Sequence, residues 1–253
     1  MQPDIELRFD PEHLSVVAAH EDRRYAELIH AGLGDARTVV NVWAGTGAYE
    51  PADRYVLAIE PREILAAKRP LERVPAIRAR PGALPLGDRS VDAAMAVRSI
   101  HEWGEERERG VRELRRVARG AVVLMTLDAT VSAEMWLQRD YLPEIATINF
   151  EMFPSIAEIT SWLGGTVDVR TVPVPRDSTD WPLSSLWGRP EELVAPDGPG
   201  RSRTLSALPA DELDRGLRKL ARDLAGGSWD RRHGHLRALY EYDVGLRLIV
   251  ATP

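Results

Sequence analysis

An apolar run, Val39-Val40-Asn41-Val42, breaks into Trp43-Ala44-Gly45-Thr46-Gly47, and a second apolar run, Tyr55 to Ile59, ends on Glu60. A strand, a glycine turn, a spacer and a second strand closed by an acid read as the start of a βαβ unit. Such a unit commits a chain to parallel pairing, with helices over both faces of the sheet. Glycines in the turn admit positive φ and let the backbone come close to a ligand. Trp43 puts the largest side chain into that turn.

The alternation continues. Apolar spacing predicts a helix from Tyr25 to Leu33, stopped by Gly32 and Gly34, and another from Arg62 to Lys68. Strands are expected at Ala76 to Arg80, Val91 to Val97 and Ala121 to Thr126, with a charged amphipathic helix at Glu105 to Val117. Beyond Asp128 the pattern predicts helices at Ala133 to Ile145 and Ser155 to Leu163, a strand at Thr166 to Val174, a helix at Ala210 to Leu224, and a last strand at Val244 to Ala251. Residues 175–205 are rich in proline, serine and aspartate, long for a compact-domain connection. With Trp181, Leu186 and Trp187 to bury, they read as a lid, part of an insertion spanning about 175–243.

Composition narrows the function. A 44% hydrophobic share over 253 residues supports one domain of α/β class. A formal charge of −6 gives no global positive field for a phosphate backbone, so nucleic acid is not the expected partner. The chain has no cysteine, which removes disulfides, thiolate metal sites and thiol nucleophiles and fits a reducing compartment. No apolar run approaches a membrane span and the N-terminus is acidic, so a cytoplasmic protein without membrane partner is expected.

The turn motif is joined by Ala58-Ile59-Glu60-Pro61, Ala83-Leu84-Pro85-Leu86, Ser90-Val91-Asp92-Ala93-Ala94 and Arg112-Glu113-Leu114-Arg115-Arg116-Val117. Through these, residues 25–128 resemble the class I S-adenosylmethionine-dependent methyltransferases, in a bacterial branch acting on small molecules. The resemblance implies a Rossmann-like, doubly wound, mostly parallel seven-stranded sheet. Residues 25–128 would form the cofactor-binding core, and 129–253 the substrate-side helices, lid and last strands. It further implies S-adenosylmethionine against Asn41, Trp43, Ala44, Gly45, Gly47, Glu60, Pro61, Gly82, Ala83, Leu84 and Val97. Asn41, Gly45 and Gly47 would face the methionine part, Glu60 the ribose and Leu84 the adenine. Trp43 stands where the family carries the first glycine, and Arg80 and Gly82 where relatives often carry acids.

Three readings of Trp43 stay open: a core side chain, a cation–π partner of the sulfonium, or a plug in the methionine half of the pocket. His101, with Glu102, is the candidate proton acceptor, because imidazole titrates near neutrality; a hydrogen-bonded histidine at a strand end is the bland alternative. Tyr141, Asp177, Asp180, Trp181 and Trp187 are candidate substrate contacts, the two acids for a cationic or hydroxylated group. Asp177 and Asp180 have turn capping as their bland alternative. Asp230, His233 and His235 have poor metal spacing and read as exposed loop residues, so no metal is expected. The function expected is methyl transfer to a small-molecule nucleophile by a monomer or homodimer. Two alternatives are an enzyme of this fold that catalyses a cyclisation, isomerisation or elimination, and a non-catalytic binding subunit.

Overall fold

The computed structural model describes residues 21–178, 180, 183–195, 205 and 207–253. Its seven-stranded sheet runs β3 (Ala76–Ile77), β2 (Tyr55–Ile59), β1 (Thr38–Val42), β4 (Ala93–Val97), β5 (Val122–Leu127), β9 (Leu246–Thr252), β6 (Thr166–Thr171). The first five strands pair in parallel, and β9 is antiparallel to both neighbours. All six residues of β5 are buried, as a central strand covered on both faces requires. The expected Rossmann-like α/β sheet is therefore present.

Alternate residues of the strands feed two cores. Val39, Met95, Met125 and Leu248 join Tyr25 and Ile29 of α1 (Arg23–Gly32) on one face. Val40, Val42, Ala94, Leu124 and Ile249 join Val111 and Leu114 of α3 (Arg107–Val117), against which α6 (Ile156–Leu163) packs, on the other. Helix α1 begins where Asp22 accepts the Arg24 amide at 3.0 Å, and it presents Tyr25 and Ile29, one turn apart, to the sheet.

Several elements depart from the periodicity. No helix lies between β1 and β2; residues 43–54 form only turns, correcting the βαβ reading at this point. The reason is local, since Trp43, Gly45, Gly47 and Tyr49 all have φ between +54° and +96°, which a right-handed helix cannot accommodate. A groove of about 630 Å³ opens on that flank, lined among others by Thr46, Ala48, Val56 and Arg73. The strand expected to Arg80 ends at Ile77, and Val91 makes only an isolated bridge with Ala118. The helix expected over Ala133 to Ile145 splits into α4 (Ala129–Ala133), a π-helical stretch Leu137–Tyr141 and α5 (Pro143–Met152). Pro143 forces that break, because it disfavours helical backbone at Leu142. The strand expected to Val174 stops at Thr171, and Val174 pairs instead in a two-stranded ladder of β7 (Val174–Pro175) and β8 (Glu241–Tyr242).

The segment read as a lid is anchored in the first core. Leu186, Trp187, Leu193, Leu220 and Trp229 are buried there with Trp136 and Tyr141.

Candidate functional site

Strand order reverses between β1 and β4, and this switch point is where open parallel sheets bind ligands, beyond the carboxyl ends of the strands. Three segments meet there: the turn after β1, Glu60 and Arg62 after β2, and residues 98–102 after β4.

Glu60 is wholly buried. Its Oε2 accepts the Gly45 amide at 2.7 Å and Arg62 Nη2 at 3.1 Å; its Oε1 accepts the Arg62 amide at 2.9 Å and Arg62 Nε at 2.8 Å. Arg62 also donates to Glu102. The carboxylate expected to hold a ribose is thus filled by its own chain.

Trp43 keeps the left-handed backbone of the turn at φ +63°, a conformation that costs a bulky residue about 1–2 kcal/mol. Its indole is partly buried against the second core, donates to Glu102 Oε2 at 2.8 Å, and lies 4.9 Å beneath the Arg62 guanidinium. The ring therefore turns to the Glu60–Glu102 side, and the cation it meets within the chain is Arg62. The tryptophan thus sits on the Glu60–Glu102 side of the turn, and Asn41 and Gly47 meet Glu50 at its other end.

At that other end a second buried network forms. Arg69 Nη2 grips both oxygens of Glu50 at 3.0 and 2.8 Å, and Asn41 Nδ2 donates to Glu50 Oε1 at 3.0 Å. Arg69 Nη1 also reaches the Gly45 carbonyl at 3.2 Å. Gly47 is required here, because a Cβ would stand 2.9 Å from Glu50 Oε2 on a backbone at φ +96°. Ala44 is buried, and its amide donates to the Ile59 carbonyl at 2.9 Å. Arg62, Arg69 and Glu50 are the site residues that sequence reasoning missed. The one available signal was Arg62, two positions after the acid that ends β2.

The segment expected near adenine sits on α3. The Leu84 amide donates to Glu113 Oε2 at 2.9 Å, Ala83 is exposed, and a Cβ on Gly82 would come within 3.3 Å of Glu106 Oε1. Arg80, exposed, pairs with Glu106 at 3.0 Å. Pro61 is partly buried beside Arg62.

Past Val97, which packs against the first core, Arg98 takes φ +56°. Burial pulls its guanidinium down to about 10. His101 stacks on Phe153 at 4.6 Å, with Nε2 3.8 Å from Glu102 Oε1.

The candidate substrate contacts do not all converge. Asp180 pairs with Arg98 at the site, whereas Asp177 is 72% exposed and pairs with Arg24 at 2.8 Å. Tyr141 lies in the core, donating to Asp223 at 2.9 Å and accepting from Arg232 at 2.9 Å; burial drives its hydroxyl well above the usual range. Trp187, fully buried, donates to the Val174 carbonyl at 2.9 Å. Both side chains are buried in the first core with their polar atoms bonded within the chain. Trp181 lies outside the described residues. His233, expected exposed, is 5% exposed and meets Asp140 at 2.7 Å, burial pulling its imidazole below the ordinary value.

Residues 30–125 match the family model described as a methyltransferase domain. A protein described as a methyltransferase of an antibiotic biosynthesis pathway in Anabaena variabilis is 26% identical, with 92% of this chain and 98% of that chain covered at a TM-score of 0.78. An S-adenosylmethionine-dependent methyltransferase of Thermotoga maritima shares 22% identity over 66% of this chain and 83% of its own, TM-score 0.51. A [4+2]-cyclase, SpnF, shares 18% over 90% and 80%, TM-score 0.51. At those identities the latter two establish the fold alone. No curated protein matches the sequence.

Proposed function

Because residues 30–125 match a methyltransferase domain and the sheet has the same fold as a methyltransferase 26% identical, we propose that the chain carries out S-adenosylmethionine-dependent methyl transfer to a small-molecule nucleophile. The observation that carries this reading is the pairing of a buried acid with a left-handed turn. Glu60, at the carboxyl end of β2, touches the Gly45 amide at the switch point of the sheet.

The turn fits the cofactor. Gly45 and Gly47 keep positive φ, Asn41 and Glu50 flank the methionine end, and Glu60 offers a carboxylate to the ribose. The ribose would reach Glu60 once Arg62, whose side chain is 22% exposed, leaves it. The cofactor supplies a methyl group on a sulfonium, open to in-line attack. The chain supplies orientation, which accounts for most of the rate in such a transfer, and His101 as the group that holds the nucleophile's proton. A net charge of −6 favours a small-molecule acceptor over a phosphate backbone.

A second reading has its own observation. Arg62 and Trp43 occupy the nucleoside end between Glu60 and Glu102, which suits an enzyme that uses the pocket for cyclisation, isomerisation or elimination without methyl transfer. Calorimetry with S-adenosylmethionine and S-adenosylhomocysteine separates the two. Weak binding by the wild type that strengthens several-fold in Trp43→Gly is the result expected for methyl transfer. Absence of binding at millimolar ligand in both proteins removes it and leaves the second.

A further inference from the structure

Asp180 is 3% exposed at its side chain. One oxygen accepts from Arg98 Nη1; the other is buried and meets no hydrogen-bond donor. An empty buried acceptor costs a native protein stability, and such groups are few enough that each calls for a reason.

The surroundings supply one. Arg98 is the second residue after the last buried position of β4, in the left-handed backbone that proteins tolerate mainly where geometry serves a site. Glu102, the neighbour of His101, also acts on Arg98 through its charge. Tyr25 of α1, with Glu21 and Asp22 just before that helix, acts on Asp180 through its charge; the Tyr25 hydroxyl stands 3.4 Å from Ser178 Oγ, and Arg24 is held between Asp22 and Asp177. Burial first, then Asp22 and Glu21, push the Asp180 carboxyl up to about 7. An ionised carboxylate only accepts, so the complement of the empty oxygen is an N–H or O–H donor. A cation would also relieve the repulsion from Asp22 and Glu21, which a hydroxyl leaves in place.

Resting on the methyl-transfer reading, we propose that the empty oxygen of Asp180 docks an amine group of the methyl acceptor. Asp177, paired and exposed, has no part in this.

The test is calorimetric titration of the full chain with phenethylamine and with phenethyl alcohol, above neutral pH, in wild type and Asp180→Asn. Asparagine keeps an oxygen for Arg98 and removes the charge. The amine is expected to bind the wild type and to lose about tenfold or more in the variant, with the alcohol unaffected. Equal amine binding by both proteins, or no amine binding by the wild type, overturns the proposal. Should Asp180→Asn fail to fold, thermal protection of the wild type by the amine gives the same answer. Protection that fades as pH falls below about 7 supports the dock, and protection independent of pH overturns it. Amine binding that depends on Asp180 in a protein that binds neither S-adenosylmethionine nor S-adenosylhomocysteine leaves the dock standing and removes methyl transfer.

Discussion

Glu60 and Asp180 are both buried carboxylates at the carboxyl edge of the same sheet, and they are satisfied in opposite ways. Every oxygen of Glu60 is filled by Gly45 and Arg62, so a ligand there must exchange partners with the chain and gains only the difference. Asp180 has an oxygen with nothing on it, so a donor arriving there gains a full interaction. The Glu60 side is thus closed by the protein's own chemistry, while the Asp180 side is left incomplete.

Four variants sharpen or break this contrast. The largest effect is expected from Glu50→Ala, which strands the guanidinium of Arg69, itself 3% exposed; losing one partner of a buried pair costs about 3–5 kcal/mol, read by denaturant unfolding. A loss below about 1 kcal/mol would mean that this second network owes little to its ion pair. Next, Arg62→Ala frees Glu60 and is expected to tighten S-adenosylhomocysteine binding about tenfold. Weaker binding instead would make Arg62 a ligand contact and not a latch.

A smaller effect follows from pH. Asp180 holds its proton more tightly folded than unfolded, so its contribution to stability is complete below the ordinary carboxylate value of 3.8 and is lost as pH rises through about 7. The melting temperature of the wild type, taken relative to Asp180→Asn, is expected to fall across that window; a constant difference would show that Arg98 keeps the carboxylate ionised throughout. Last, Asp177→Ala removes an exposed ion pair and is expected to change stability by less than about 0.5 kcal/mol and phenethylamine binding not at all. A loss of amine binding there would move the dock to the surface acid.

Much of the sheet was legible because buried parallel strands write their pattern locally. Val39 to Val42, Tyr55 to Ile59 and Ala121 to Thr126 lie within a residue or so of the observed β1, β2 and β5. The absent helix was not foreseen, although only residues 48–54 separate Gly47 from β2 and Pro51 falls among them. Motif placement brought Asn41, Trp43, Gly45, Glu60, His101 and Glu102 to one region, since they sit at strand ends whose order the fold fixes. It did not foresee Arg62 and Arg69, because a salt bridge depends on side chains meeting in space and leaves no period in the chain. The full burial of Tyr141 and Trp187 was not foreseen for a related reason. An aromatic residue in a long connection has the same appearance whether it lines a pocket or braces a core, and their polar atoms prove to be satisfied from within.

The short connection between β1 and β2 also bears on the order of folding. Partners such as Thr38 and Tyr55 stand close in sequence, whereas Thr166 and Thr252, which pair at the opposite edge, are separated by the whole C-terminal third of the chain. Loop closure is cheaper for the first pair, so β1 and β2 are set to zip early and β6 with β9 late. Turn backbone held left-handed at Trp43, Gly45, Gly47 and Tyr49 is drawn into shape by that early event. A nascent chain would carry its glycine turn already shaped while β9, which β6 needs as its partner, is still to be made.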